Sequence, residues 1–217
     1  MPRTIIENIV IQEYKDQTFF EFCKYTTIRF FEIVYFEKGS GTIKINGKTV
    51  NYSANSIFVF VPDDIYIVNP ESATTTIAIK FLKSFFKGDA PQNANLPVND
   101  WFRKIEGILN SESHQLREMR FETESDKIHL LSLIKMVAAE NDKKKSYDLF
   151  IIQNSLSVIL HLIARNIQFL NADMSAKIVE SSKIQQIINF IHANIYNPEL
   201  LTTKNLAEEF HICLLYT

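Results

Sequence analysis

The pattern of apolar and polar positions changes near the middle of the chain, and this change predicts two kinds of structure. Between residues 18 and 81, short runs rich in Phe, Ile, Val, Thr and Tyr are separated by turns that contain Gly, Pro and Asn. Such runs are typical of β-strands. The predicted strands are Thr18–Tyr25, Ile28–Glu37, Thr42–Ile45, Lys48–Tyr52, Ser56–Val61, Ile65–Val68 and Thr74–Phe81. Short strands at this spacing predict a sandwich or a small barrel.

The second half of the chain has the periodicity of helices. From Lys83 to Asn99 the composition turns to Gly, Pro, Asn and Asp, which indicates a connection. Beyond it the apolar positions recur every three to four residues. The predicted helices are Asp100–Leu109, Asp126–Ala139, Asp148–Leu170 and Lys183–Ile195. We therefore predict an α+β fold, with an N-terminal small β-barrel followed by a helical segment.

The helix predicted over Asp148–Leu170 has two apolar stripes, although a surface helix needs one to cover its own core. The first has heptad spacing with one polar member, and the second lies beside it. One interpretation is a central helix buried among its neighbours. The other is that one face meets a second subunit in a two-fold dimer, with the polar member favouring one register. The first stripe, our predicted dimer interface, consists of Leu149, Ile152, Leu156, Ile159, Ile163 and Asn166, and the second of Ile151, Val158, Leu162 and Phe169.

Composition and charge exclude several classes of protein. The 217 residues carry a formal net charge of −2, so the chain as a whole is not a polycationic nucleic-acid binder. Its two cysteines, Cys23 and Cys213, form neither a disulfide framework nor a metal knuckle. Residues 1–16 lack the layout of a signal peptide, and the apolar stretch Leu149–Ala164 is too short and too polar for a membrane span. We expect a cytoplasmic protein without a membrane segment.

The residues of the predicted barrel offer no catalytic or metal-binding constellation. Metal-binding barrels use His together with carboxylates, but the first histidine of this chain is His114, beyond the connection. The carboxylates of the barrel would suit only a hard cation and lack the spacing of a ligand loop. The glycines do not form a phosphate-binding loop. We therefore predict no enzyme, no catalytic residue, no metal and no cofactor.

A barrel rich in aromatic residues could nevertheless bind a small molecule. The strands around Phe30–Phe36 and Phe58–Phe60 have aromatic residues on both faces, so one set forms the core. The other set could line a pocket, and the candidates are Phe31, Ile33 and Tyr35. The alternative is that all of these side chains are core.

The last thirty residues contain a helix pair. One clean apolar stripe is followed by Tyr196-Asn197-Pro198, which ends the helix, and Thr202 or Thr203 then offers an N-cap for a short helix over Lys204–Phe210. The helix stripe comprises Ile184, Ile187, Ile188, Ile191 and Ile195. In the short helix Leu206, Ala207 and Phe210 face one way, and the small Ala207 lets another helix cross closely, as in a helix-turn-helix.

Two stretches together resemble one family. Residues 36–47, Phe-Glu-Lys-Gly-Ser-Gly-Thr-Ile-Lys-Ile-Asn-Gly, resemble the sensor barrel of AraC/XylS-type transcriptional regulators. The pattern Phe190-Ile191…Pro198…Leu206-Ala207…Phe210-His211-Ile212 resembles the start of their DNA-binding domain. The resemblance implies a cupin-like barrel, a helical dimerisation segment and a helix-turn-helix, in that order. It also implies a homodimeric transcription factor that binds operator DNA and senses a small molecule in the barrel.

The resemblance stops near the end of the chain. Family members usually continue with a Ser that caps the recognition helix, whereas this chain continues Cys213-Leu214-Leu215-Tyr216-Thr217. Back-translated as TGT CTC TTA TAC ACA, these residues resemble the transposon-end adapter of sequencing libraries. We hypothesise a non-native tail, and chance with a natural frameshift or stop is the alternative. The recognition helix, and with it any DNA-contacting residue, is then absent from this chain.

These observations give a domain prediction and two functional hypotheses. We predict a cupin-like sensor barrel over 1–95, a helical linker and dimerisation segment over 96–175, the start of the helix-turn-helix domain over 180–212, and a non-native tail over 213–217. The charges of residues 183–212 are two lysines against three glutamates, or 2 − 3 = −1, which is no phosphate-binding surface. The first hypothesis is a DNA-binding regulator of the AraC type whose recognition helix is not in this sequence. The alternative is a stand-alone ligand-binding and dimerisation module that acts through protein contacts.

Overall fold

The structure is a computed structural model that describes residues 2–20, 26–86, 100–111, 117–143, 145–177, 187–188, 190–192, 194–195 and 197–210. The side chains of 170–177 and of Asp100 are outside this description. Cys23, most of the predicted connection before Asn99, the start of the stripe at Ile184 and the predicted tail 213–217 also lie outside it.

Two antiparallel sheets form the N-terminal part. A four-stranded sheet has the order β1-β7-β2-β5, and a three-stranded sheet has the order β4-β3-β6. The strands are β1 (Ile9–Gln17), β2 (Phe31–Lys38), β3 (Gly41–Ile45), β4 (Lys48–Tyr52), β5 (Ile57–Phe60), β6 (Tyr66–Pro70) and β7 (Thr74–Phe81). The inner faces of the two sheets pack against each other through one shared apolar cluster. The α+β prediction with an N-terminal cupin-like barrel is confirmed, in the form of a flattened, two-sheet barrel.

The strand predictions are confirmed from β2 onward and fail at the N-terminus. The Asn46-Gly47 hairpin is present, with φ of 47° at Asn46 and 89° at Gly47. The predicted strand Thr18–Tyr25 is wrong at residues 18–20, which are not extended into a strand, and residues 21–25 lie outside the description. The first strand is instead Ile9–Gln17, which pairs with β7.

Both faces of the four-stranded sheet are covered, and the alternation of side chains along each strand therefore separates two cores. One core fills the space between the two sheets. The other lies on the outer face of the four-stranded sheet and joins it to the helices. This double burial is the reason that β2, β5 and β7 have almost uninterrupted apolar sequences.

The helices that cover the outer face are α1 (Asp100–Leu109), α2 (Glu124–Lys143) and α3 (Asp148–Lys177), with a 3₁₀ turn at Lys83–Phe86 before them. Thr123 caps α2, because its Oγ1 accepts a hydrogen bond from the Asp126 amide at 3.1 Å. Phe102 of α1, Leu130 and Ile134 of α2 and Ile159 of α3 all belong to the core that these helices share with the sheet.

A buried ion pair fastens the end of the sandwich to α1. Asp64 lies 2.8 Å from Arg117 Nε through its Oδ2 and accepts hydrogen bonds from Asn46 Nδ2 at 2.8 Å and the Val61 amide at 2.8 Å. Arg117 also donates to the carbonyl of Leu109 at the end of α1, at 2.7 Å. One carboxylate thus joins the β3–β4 hairpin, the end of β5 and the first helix.

The chain divides into two compact units, Met1–Leu170 and Asn171–Thr217, and the boundaries of our four predicted segments stay a prediction. One stretch, Asp148–Phe169, has the length and apolar composition of a membrane-crossing helix. It is the core helix α3, and half of that stretch is buried inside the chain. In the second unit the described elements are a 3₁₀ turn over Pro198–Leu201 and the short helix α4 (Thr203–Glu209).

Candidate functional site

The direction of each side chain of β2 decides which of the two cores it joins. Glu32, Val34 and Phe36 point between the two sheets, whereas Phe31, Ile33 and Tyr35 point towards the helices. The cross-strand partners agree, since Glu32 is paired with Lys80 on β7 and with Phe60 on β5. The interior of the sandwich therefore has one charged row among apolar ones.

Aromatic rings fill most of the space between the sheets. Phe36 stacks on Tyr52 with a centroid distance of 4.1 Å, and Phe60 stacks on Tyr66 at 3.9 Å. Phe58 lies between these pairs and contacts both phenylalanines. These rings fill the space among Phe36, Phe58 and Phe60, so the polar row beside them is the candidate for recognition.

That polar row is built around the buried carboxylate of Glu32. Tyr66 donates its hydroxyl to Glu32 Oε2 at 2.6 Å, and Lys80 Nζ lies 4.0 Å from Oε1. Lys80 in turn donates to Oε1 of Gln12 at 2.6 Å, on the edge strand β1. Glu32 has no exposed surface, and burial raises the pKa of its carboxyl above the ordinary value, although Lys80, the Tyr66 hydroxyl and Arg3 oppose the rise.

Arg3 contacts this row through Tyr66. Its guanidinium lies over the Tyr66 ring, 4.3 Å from the centroid, and its NH1 donates to the Tyr66 hydroxyl at 3.3 Å. The backbone of Arg3 is held by two hydrogen bonds, from its amide to the Thr27 carbonyl at 2.8 Å and from the Arg29 amide to its carbonyl at 3.0 Å. An arginine from the N-terminal segment thus neutralises part of the charge of a glutamate in β2.

A second candidate is a cleft on the opposite face of the four-stranded sheet, between the sheet and α2. It has a volume of about 320 Å³ and a floor of Thr75, Thr76 and Ile77 from β7. Its charged rim consists of Glu13, Lys15, Glu37, Lys135, Asp142 and Lys143. Several of these charges already pair with each other, because Lys135 lies 2.8 Å from Glu37 and Lys15 lies 3.4 Å from Glu13.

Tyr35, on β2, lies beside this cleft and contacts Lys135 of α2. Lys135 Nζ lies 5.8 Å from the centroid of the Tyr35 ring, and the Tyr35 hydroxyl donates to Asn55 Oδ1 at 3.0 Å. Burial raises the pKa of Tyr35, and the hydrogen bond to Glu37 raises the pKa of Lys135. Both groups therefore keep their protons, and Lys135 is a cation that ties α2 to the sheet.

The predicted pocket residues all face the helices. Phe31 and Ile33 are buried in the core between the sheet and the helices, where Phe31 packs against Phe81 and Phe102. Tyr35 belongs to the same core but lies beside the cleft. That these three residues contact a ligand stays a prediction.

The predicted dimer seam on α3 lies mostly inside the chain's own core. Ile152, Leu156, Ile159 and Ile163 are buried there, and Asn166 is buried beside them, whereas Leu149 is exposed. As a subunit interface this stripe stays a prediction, and within the single chain its buried members belong to the core shared with the sheet and α2. Ile151, Val158 and Phe169 of the second stripe are exposed instead.

Asn166 has an intramolecular role in this arrangement. Its Nδ2 donates to Asp126 Oδ2 at 2.9 Å, and its Oδ1 accepts from the Glu122 amide at 2.9 Å. Arg165 also bonds Asp126. The polar member of the seam thus joins α3 to the start of α2, and its hydrogen bonds fix the register of two helices of one chain.

In the second unit the predicted packing residues share one side of α4. Leu206, Ala207 and Phe210 are all half-buried, and Phe210 meets Phe190 edge-to-face with a centroid distance of 5.4 Å. The predicted N-cap is confirmed, since Thr202 Oγ1 accepts from the Asn205 amide at 3.2 Å.

Glu32 is one of the barrel carboxylates that would suit only a hard cation, and Arg3 and Lys80 were not among the predicted site residues. The sequence nevertheless indicated Glu32 and Lys80, because each is the single charged residue inside an apolar run. These runs are Phe30–Phe36 and Ile77–Phe81. A lone charge in a doubly buried strand requires a partner. Within the described residues no group of three or more His, Cys, Asp or Glu is arranged to hold a metal ion.

The N-terminal unit is a two-sheet sandwich with helices on one outer face and a buried polar row between the sheets. The sequence profile of the AraC-like ligand-binding domain matches residues 12–133, which is more than half of the chain. The chain therefore belongs to the family of AraC-like ligand-binding domains. No curated protein matches the chain at a significant level.

Solved structures with similar folds include the AraC-like transcriptional activator CuxR, with 12% identity, a TM-score of 0.44, and coverage of 95% of this chain and 67% of that one. ToxT from Vibrio cholerae is similar at 10% identity and a TM-score of 0.42, over 96% of this chain and 73% of ToxT. EutQ from Clostridium difficile is similar at 20% identity and a TM-score of 0.27, over 34% of this chain. The chain spans 54% of the length of EutQ.

Proposed function

We propose that this chain is the sensor part of a cytoplasmic, DNA-binding transcriptional regulator of the AraC type. The observation that carries the proposal is the match of residues 12–133 to the AraC-like ligand-binding domain. The helix pair near the C-terminus supports it, because Thr202 caps a helix whose half-buried face is formed by Leu206, Ala207 and Phe210. In this proposal the protein regulates and does not catalyse.

The effector is a small molecule bound by the sandwich unit. The buried polar row around Glu32 supports this part of the proposal, because it places a few charged groups among apolar side chains. The cleft beside Lys135 supports it as a concave surface with a charged rim. In such a sensor, an effector alters the helices that rest on the sheet, since the sheet and α1–α3 share one core.

Dimerisation occurs through the helices. The exposed apolar residues Ile151, Val158 and Phe169 recur along the free face of α3, and an apolar stripe that faces solvent favours association. A two-fold dimer would bring two of these faces together and place two DNA-binding units on one operator.

DNA binding belongs to the protein encoded by the complete gene. The resemblance of residues 184–212 to the start of the family's DNA-binding domain implies that the recognition helix follows them. Residues 183–212 have a net charge of −1, so we expect this chain alone not to bind an operator.

Chromatin immunoprecipitation with the tagged product of the complete gene tests the proposal, with the product cut after Ile212 as the matched control. We expect enrichment at discrete promoter sites for the complete product and none for the shortened one. Absence of enrichment for the complete product would favour the alternative, a ligand-binding and dimerisation module that acts through protein contacts.

A further inference from the structure

The turn of the β3–β4 hairpin contains a dipeptide that readily loses side-chain ammonia. Asn46 is followed by Gly47, both residues are exposed, and the space that a Cβ atom of residue 47 would fill is open. In this reaction the backbone nitrogen of the following residue attacks the side-chain carbonyl carbon of the asparagine, and a glycine has no side chain to hinder the approach. Asn46 is therefore exposed to spontaneous modification wherever its side chain is free to turn towards Gly47.

The folded chain holds the Asn46 side chain by both of its polar atoms. Its Nδ2 donates to Asp64 Oδ1 at 2.8 Å, and its Oδ1 accepts from the Ile65 amide at 2.8 Å. Attack on Cγ makes this carbon tetrahedral, so neither hydrogen bond keeps its geometry. The reaction in the native state must therefore first release both bonds.

We propose that Asn46 is a deamidation site that these two hydrogen bonds protect, and that its modification, once the hairpin opens, loosens the hairpin from α1. The Gly47 nitrogen bonds to Cγ of Asn46 and loses its proton, while the Cγ–Nδ2 bond breaks and Nδ2 leaves as ammonia. Water then opens the resulting cyclic imide at either carbonyl and leaves an aspartate or an isoaspartate at position 46. The reaction needs water alone, and the inference does not depend on the proposed function.

The product carries a second carboxylate next to the buried ion pair of Asp64. Arg117 Nε lies 2.8 Å from Asp64 Oδ2, and Arg117 NH2 donates to Asp64 Oδ1 at 3.0 Å. The oxygen that replaces Nδ2 of Asn46 has no proton to donate, so it repels Asp64 Oδ1 where a hydrogen bond had been. Because Arg117 also donates to the Leu109 carbonyl, the repulsion acts on the network that joins the hairpin to α1.

Isoaspartate also changes the main chain of the turn. Ile45 and Lys48 pair across the two residues of this turn, where φ is 47° at Asn46 and 89° at Gly47. Isoaspartate sends the main chain through the former side chain and lengthens the turn by one carbon atom. A two-residue turn of this type does not accommodate the extra atom without a change of geometry.

Mass spectrometry of the 217-residue chain, incubated at pH 8 and 37 °C in buffer and in 6 M guanidinium chloride, measures the protection. We expect the peptide that contains Asn46 to deamidate at least about tenfold more slowly in buffer, since two hydrogen bonds must first be released. Equal rates under the two conditions, or no reaction in the denaturant, would overturn the proposal.

Gly47→Ala in the denaturant is the control for the chemical route. The added methyl group hinders the attacking nitrogen, so deamidation of Asn46 should slow several-fold. An unchanged rate would mean that water attacks Asn46 directly, which contradicts the proposed route.

Asn46→Asp tests the consequence for the fold, and Asn51→Asp is its matched control, because Asn51 is an exposed residue of the same hairpin. Both substitutions add one negative charge, but only the first adds it next to Asp64. We expect Asn46→Asp to lower Tm by about 3 °C or to prevent folding, and Asn51→Asp to change Tm by about 1 °C or less. Equal Tm values for the two variants would overturn the proposed loosening of the hairpin.

Discussion

Glu32 is the residue whose charge most affects the interior of the sandwich. Its carboxylate is buried between the two sheets, and only Tyr66, Lys80 and Arg3 offset the loss of hydration. Since burial raises the pKa of Glu32 in the folded chain above 4.5, the value of the unburied group, the folded state binds a proton that the unfolded state releases. Glu32 therefore makes one contribution to the pH dependence of the stability of the protein.

We predict that Glu32→Gln removes this dependence. As pH rises from about 4.5 through the raised pKa, the free energy of unfolding of the wild-type chain falls relative to that of the variant, by at most about 1.4 kcal/mol per pH unit. Urea denaturation between pH 4 and pH 8 measures the difference. Below pH 4 both side chains are neutral and the two proteins should be nearly equally stable, whereas a difference that does not change with pH would contradict the argument.

At the scale of elements, the contact between α2 and α3 is specified by a polar pair inside an apolar interface. Asn166 bonds both the Asp126 carboxylate and the Glu122 amide. Removal of its amide leaves the buried Asp126 carboxylate with fewer donors and the backbone amide of Glu122 without its acceptor on this side chain.

Asn166→Ala should therefore destabilise the single chain by about 1–3 kcal/mol and leave its oligomeric state unchanged. Urea denaturation measures the first quantity and light scattering the second. Asn154→Ala, an exposed amide on the same helix, is the control and should cost less than about 0.5 kcal/mol. A change in molecular mass with Asn166→Ala at unaltered stability would place this residue at a subunit interface after all.

Periodicity predicted the elements from β2 to α1 well, because each has a clear apolar pattern and its ends contain Gly, Pro or Asn. It missed β1, since Ile9–Gln17 is an edge strand in which Gln12, Glu13 and Lys15 dilute the alternation. It also could not decide which face of β2 points inward, because residues 31–36 are buried on both faces. The same ambiguity affected α3, where two apolar stripes compete and only the position of the sheet decides which of them is core.

At the scale of the whole molecule, the second stripe of α3 is the exposed apolar surface of this helix, and we expect the subunit interface there. Val158→Asp introduces a charge at a position that is 49% exposed, so the fold tolerates it while an apolar interface does not. We predict that the wild-type chain has twice the monomer mass by light scattering and that Val158→Asp has the monomer mass with an unchanged Tm.

Two further variants make this result specific. Ile159→Asp, at a fully buried neighbour, should unfold the chain, and Ser132→Asp, which adds the same charge to the exposed side of α2, should remain dimeric. An undiminished dimer mass for Val158→Asp would place the interface elsewhere.

The central claim is that this sensor domain works in a dimeric DNA-binding regulator, and DNase I footprinting of the complete gene product on the promoters found by immunoprecipitation tests it most directly. We predict protection of two half-sites separated by whole helical turns, with an affinity that falls by at least tenfold between 50 and 200 mM salt as phosphate contacts are lost. A folded, dimeric product that protects no DNA at 50 mM salt would contradict the account.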